Sequence, residues 1–194
     1  DDMMIEALIL LLSSGGRSLS DWDYLKGELG FEKLFGRCPS VDSLERYLRK
    51  LQLTIPHRKS KAGQVGYATE LEVLHSILSK KAYQLAGSPK KLTLDLDATL
   101  IETDKNEALY CYEKYKAYQP MNVYCPELKM VIAHEFRDGN VSPAEGYKRL
   151  IERCLKLFPD VHFTVRADSA AYQNDFLEWM TKNKIRYYIT ARLS

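Results

Sequence analysis

The sequence predicts an α/β protein in which a helical first part precedes a mixed sheet. Three observations point there. Apolar residues recur at helical spacing as far as Leu85, and the pattern switches to alternation at Leu92. After the switch the elements run strand, strand, strand, helix, strand, helix, strand. The composition agrees: 194 residues, 45% hydrophobic and 28% charged, suffice for a sizeable core and exclude disordered and fibrous classes.

Taken in order, Met4, Leu8, Leu11 and Leu12 share one face of a first helix, which Ser13-Ser14-Gly15-Gly16 stops. Ser20 is placed to cap a second helix carrying Trp22, Leu25 and Leu29, with Gly30 at its end. Pro39-Ser40 opens a third, with Leu44, Tyr47, Leu48 and Leu51 inward. Three short helices with tight connections fit a helix-turn-helix type of DNA-binding unit, and a plain bundle equally well. Ile55 to Gly66 reads as a polar, basic loop. Thr69 and Glu72 form a capping box opening a helix with Leu71, Leu74, Leu78 and Leu85 on one face, ended by Gly87-Ser88-Pro89.

Leu92–Leu100 alternates as a strand, and Met121–Tyr124 and Lys129–Phe136 are two more, joined through Cys125-Pro126-Glu127. Arg137-Asp138-Gly139-Asn140 is a turn. Ser142, Pro143 and Glu145 supply an N-cap, a first-turn proline and a capping box. The helix they open buries Tyr147, Leu150, Ile151, Cys154, Leu155 and Phe158. Val161–Ala167, Ala170–Asn183 and Ile185–Thr190 follow as strand, helix and strand. A three-strand meander followed by alternating α/β units is the build of a ribonuclease H-like sheet. Two regions are therefore expected, a helical, partly basic 1–90 and a sheet domain over 91–194.

The net charge is only +2, but its distribution is uneven: ten basic side chains face two acidic ones between Arg46 and Lys91. Within that stretch Arg58, Lys59 and Lys61 are candidates for neutralising DNA phosphates, against the plainer reading of a solvated loop. Cys38, Cys111, Cys125 and Cys154 are dispersed without a C-x-x-C pair, which predicts a reduced, cytoplasmic protein. The apolar run Leu8–Leu12 is far short of a membrane span and lacks the flanks of a secretion signal, so no membrane partner is expected. His57, His75, His134 and His162 show no metal-ligand spacing. Tyr110, Tyr112, Tyr115, Tyr118 and Tyr124, with Lys114 and Lys116, offer either base stacking or sheet-edge packing.

The chemistry lies in the carboxylates. Asp95 and Asp97 are two apart on the first strand and leave one face, while Leu94, Leu96 and Ala98 leave the other. Asp168 ends the fourth strand. In a ribonuclease H-like sheet the first and fourth strands are neighbours and parallel, so their acids converge. Converging acids suit Mg²⁺ (or Mn²⁺), which takes oxygen ligands and keeps waters for substrate phosphates. Two such ions about 3.5–4 Å apart activate the attacking oxygen and stabilise the leaving one in phosphodiester transfer. For Asp97 alone, a strand-end hydrogen bond with Thr99 is the structural alternative.

Four stretches occur in order: Leu94-Asp95-Leu96-Asp97-Ala98-Thr99, Tyr115-Lys116-Ala117-Tyr118-Gln119-Pro120-Met121, Arg137-Asp138-Gly139-Asn140-Val141-Ser142, and Val165-Arg166-Ala167-Asp168-Ser169. Together they resemble the DDE-domain transposases of bacterial insertion sequences, in the branch whose motifs read L-D-x-D-A-T, Y-x-G-Y-x-P-L, R-P-G-N and R-x-D-S. Ser14-Gly15-Gly16-Arg17 and Pro39-Ser40 extend the similarity to the amino-terminal part. The resemblance implies a Mg²⁺- or Mn²⁺-dependent transposase that nicks transposon ends and joins the freed 3′-hydroxyl to target DNA. It implies a homodimer in a synaptic complex and a bacterial, nucleoid-associated location. On the matching positions Asp97 is the first catalytic acid and metal ligand, Asp168 the second, Asp95 an auxiliary ligand, and Arg166 a phosphate contact. Lys114, Ala117 and Asp138 depart from the family pattern. The family's third acid, a glutamate on a late helix, has no match: Glu178 comes too soon after Asp168. The expectation is thus an incomplete, inactive chain, starting without methionine and ending at Ser194 before that glutamate.

Two other readings stay open. Asp95-Leu96-Asp97-Ala98-Thr99-Leu100 also resembles the first motif of haloacid-dehalogenase-type phosphatases, with Asp95 as nucleophile, Asp97 as acid/base and Ile189-Thr190-Ala191-Arg192 imitating the second motif. The other is a non-catalytic DNA-binding protein, a truncated transposase.

Overall fold

The computed structural model describes residues 2–28, 31, 33, 36–52, 58–59, 64–66 and 69–191. They belong to two compact units, Asp1–Ile55 and Pro56–Ser194. The division falls at 55/56 rather than 90/91, because the segment between those points joins the sheet. No helix among the described residues is long and apolar enough to cross a membrane.

The first unit holds α1 (Asp2–Ser13), α2 (Asp21–Gly27) and α3 (Val41–Gln52). Ala7, Leu11, Trp22 and Leu44 form its core. The buried indole N–H of Trp22 donates to the Pro39 carbonyl at 2.8 Å, so the ring is covered without an orphaned donor. Leu12 departs from the expected face and is 70% exposed, since the buried stripe runs through Ala7 and Leu11. Ser20 makes no side-chain cap. Asp21 instead fastens the turn before the helix, its carboxylate accepting from the Arg17 and Ser18 amides, which holds its pKa below the ordinary range. Ser40 does cap α3, accepting from the Ser43 amide. Leu29 and Gly30 lie outside the described residues.

The second unit is built on a seven-stranded sheet. Its strands are β1 (Arg58–Lys59), β2 (Gln64–Gly66), β3 (Lys91–Ala98), β7 (Met121–Cys125), β8 (Met130–Arg137), β9 (His162–Ala167) and β10 (Arg186–Ile189), in the order β1-β2-β8-β7-β3-β9-β10. β4 (Ile101–Glu102), β5 (Leu109–Tyr110) and β6 (Lys116–Tyr118) make a separate three-stranded sheet between β3 and β7. The helices are α4 (Thr69–Leu85), α5 (Tyr147–Leu157) and α6 (Asn174–Lys182).

Strands β3, β7 and β8 form the antiparallel meander, and β9 and β10 add parallel to β3 on its other side. This is the ribonuclease H-like mixed sheet, as the element order predicts. Leu92, Leu94, Leu96, Val123, Phe163 and Val165 share one core with Leu150, Ile151 and Cys154 of α5 and Phe176 and Met180 of α6. Thr93, Asp95 and Asp97 leave β3 on the opposite face.

Three local expectations change. The basic loop contains a hairpin, β1 with β2, whose Val65 and Gly66 pair with Arg137 and Phe136 and so cover part of the outer edge of β8. Arg58 and Lys59 sit on β1, and Lys61 lies outside the described residues. The helix expected from Ser142 starts only at Tyr147, after Gly146 at φ +100°. The cause is Arg137, which draws the Ser142 and Glu145 carbonyls out of helical register. Finally, Leu78 and Leu85 of α4 are exposed, because Tyr83 supplies the contact with the main core.

Candidate active site

The site begins with strand register. Parallel pairing of β3 with β9 sets Asp95 opposite Arg166 and Leu96 opposite Ala167. One residue further along each strand come Asp97 and Asp168, so two acids emerge at the same end of adjacent central strands.

Each carboxylate is oriented through one oxygen. The Thr99 hydroxyl donates to Asp97 Oδ2 at 3.1 Å. Asp168 Oδ1 accepts from the Ala170 amide at 3.0 Å and from the Tyr147 hydroxyl at 3.3 Å. The first of these bonds caps the 3₁₀ turn Ser169–Ala171, which separates β9 from α6 and replaces the single helix expected over Ala170–Asn183. Asp97 Oδ1 and Asp168 Oδ2 have no hydrogen-bond donor among the described residues. Two oriented carboxylates with an oxygen each to spare fit a hard divalent cation.

Asp95 is engaged differently. Both its oxygens accept from Arg166, from Nε and Nη2, at 2.5 Å each. This two-point pair raises the pKa of Arg166. Asp95 thus commits one lone pair of each oxygen to Arg166, unlike Asp97 and Asp168, and it is not a free nucleophile of the kind the phosphatase motif requires.

Two residues of the site escape the sequence reading. Tyr147 is counted there only as a core residue, yet it is 3% exposed with its hydroxyl on Asp168. Burial and the Asp168 charge raise its pKa, so it remains a donor. A tyrosine at the first position of an amphipathic helix is a usable signal, since a buried phenol needs a hydrogen-bond partner. Arg137 is fully buried. Its guanidinium donates to the carbonyls of Gln119, Ser142 and Glu145 at 2.9, 3.4 and 2.6 Å. Those bonds fix the turn that delivers Tyr147 to Asp168. Burial pulls the Arg137 pKa down, and Glu135 opposes that pull.

The rest of the Arg137–Asn140 turn is equally constrained. A Cβ on Gly139 would lie 2.4 Å from the Ala117 carbonyl oxygen, so only glycine passes beside β6. Beyond it, Tyr112, Gly139, Asn140, Val141, Ser142 and Pro143 line an open groove of about 380 Å³. Tyr112 also lies within electrostatic reach of Asp168: desolvation and Glu113, and more weakly Cys111 and Asp168, raise its pKa.

Sheet order and paired acids place this unit in the ribonuclease H-like class. The chain belongs to the family described as Transposase DDE domain group 1, whose model matches residues 1–193. That family consists of phosphoryl-transfer enzymes that act on DNA and use divalent metal ions. No curated protein matches the chain. Among solved structures, a chain in the crystal structure of the Mos1 strand transfer complex is similar over 98% of this chain and 58% of its own length, at 11% identity and a TM-score of 0.29. This chain thus spans less than two thirds of that one.

Proposed function

We propose that Asp97 and Asp168 are the first two acids of a centre that cleaves DNA at insertion-sequence ends and transfers the freed strand to target DNA. The observation that carries this reading is the β3–β9 register, which sets the two carboxylates at the same end of adjacent strands with one uncommitted oxygen each. Asp97 Oδ1 and Asp168 Oδ2 would hold Mg²⁺ or Mn²⁺. When bound, such an ion neutralises phosphate charge and lowers the pKa of the attacking oxygen.

The chain's own groups hold the acids ready. Thr99 and the Ala170 amide fix the carboxylate planes, and Tyr147 donates to Asp168 from the buried side. Asp95 holds Arg166 in place as a phosphate contact, with Nη1 not used in that pair. Arg58 and Lys59, on the hairpin strand that extends the sheet, add cationic contacts further along the DNA, and Lys61 belongs to the same stretch. Synapsis of two ends calls for a homodimer.

The test is Mn²⁺ binding by the unmodified chain and by Asp97→Asn and Asp168→Asn variants, beside a salt titration of binding to insertion-end DNA. Expected are Mn²⁺ binding lost in both variants and DNA binding retained with a steep salt slope, without nicking as long as the family's third acid has no match. DNA binding without Mn²⁺ binding in the unmodified chain would make this a binding protein. Absence of DNA binding would overturn the reading altogether.

A further inference from the structure

We propose that Glu72, His75 and His134 form a second cation site, for a borderline transition ion such as Zn²⁺, which ties helix α4 to strand β8. Glu72 and His75 are three residues apart on α4 and so share a face, while His134 lies on β8. One ligand atom from each of the three lies within 4.8 Å of the other two. Two imidazoles with one carboxylate match the donor set of zinc and of non-haem iron, and they do not suit Mg²⁺.

The carboxylate supplies the second observation. Glu72 Oε1 is buried without a hydrogen-bond partner, 3.9 Å from His134 Nδ1. A buried oxygen left without a donor is costly, and a cation at this point removes the cost.

The surrounding groups already orient the donors as the outer contacts of a metal site do. His75 Nε2 lies 2.6 Å from the Val131 carbonyl, which places the ring proton on Nε2 and leaves the lone pair on Nδ1. Arg153 pairs with Glu72 Oε2 and donates to the His134 carbonyl at 2.9 Å, holding the helix carboxylate and the strand in one frame. Its positive charge opposes a cation, so affinity is expected to fall below that of a closed four-ligand zinc site. The fourth position goes to water. The ion acts as a staple, and its donors differ in kind from the all-carboxylate pair at Asp97 and Asp168.

The test uses the full chain carrying Asp97→Asn and Asp168→Asn, stripped with a chelator and titrated with Co²⁺. Expected is a single equivalent giving the visible d–d bands of low-coordinate Co²⁺, displaced by Zn²⁺ and free of the sulfur charge-transfer bands that a cysteine ligand would add. His75→Gln and His134→Gln should each abolish the bands. A melting temperature that rises with Zn²⁺ and not with Mg²⁺ gives a readout that needs no histidine variant to fold. No Co²⁺ spectrum, no Zn²⁺-specific rise, or bands persisting in a folded histidine variant would each overturn the proposal.

Discussion

Replacing Asp95 with asparagine separates the two roles open to the second acid of β3. Both Asp95 oxygens accept from Arg166 at 2.5 Å, with the two side chains 30% and 54% exposed. Exposed pairs contribute about 0.2–1 kcal/mol, and two-point geometry sets this one near the upper end. Asparagine keeps one acceptor, so Asp95→Asn should cost no more than about 1 kcal/mol, or roughly 2–4 °C in Tm for a chain of this size. Its Mn²⁺ affinity should change by less than about threefold, equivalent to roughly 0.7 kcal/mol. Asp97→Asn instead removes a carboxylate with a free oxygen and should weaken Mn²⁺ by about tenfold or more. Electron paramagnetic resonance titration of free Mn²⁺, with thermal melts on the same samples, reads both quantities. Equal losses of Mn²⁺ affinity in the two variants would refute the reasoning, because Asp95 would then be as much a ligand as Asp97.

Three further outcomes follow from the same structure. Gly139→Ala should lower stability by about 1–3 kcal/mol, since the new methyl meets the Ala117 carbonyl, and an unchanged urea midpoint would contradict the close approach. Lys114→Gly should raise stability by up to about 1 kcal/mol in the same assay, because Lys114 holds φ at 70° in the turn where its amide donates to Cys111. Burial pushes the Cys154 thiol up to about 12 from an ordinary 9.0. The folded chain thus keeps a proton that the unfolded chain releases. This contribution is complete below about pH 9 and is lost as pH rises towards 12, with a slope of about 1.4 kcal/mol per pH unit that Cys154→Ala should remove.

The sheet was legible because its signals are local and strong. Alternation over Leu92–Ala98 and the apolar stripe from Tyr147 to Phe158 survive in the fold almost residue for residue. The adjacency of Asp97 and Asp168 also follows from element order, since a ribonuclease H-like sheet permits few other arrangements. What sequence does not carry is the choice among local partners. Ser20 and Ser142 both look like helix caps, but the first amides of α2 go to the backbone carbonyls of Ser18, Leu19 and Ser20, and Ser142 accepts from the Ala144 amide in a turn that precedes α5. Strands β4, β5 and β6 have two or three residues each, too few for alternation to register. Asp95 and Asp97 look alike as neighbours in a motif, and only the residue opposite each on β9 tells them apart. His75 and His134 lack metal spacing along the chain because they reach one place from a helix and a strand 59 residues apart.

The β3–β9 register also has a consequence for the order of folding. The β7–β8 hairpin joins neighbours in the chain, whereas Asp95 and Arg166 are 71 residues apart. Closing so long a loop costs entropy before any contact rewards it, so the meander forms early and β9 docks late. The two acids consequently first meet near the end of the process. Until then Asp97 has only Asp95 beside it on β3, and a nascent chain gains the Asp97–Asp168 pair only as the fold closes.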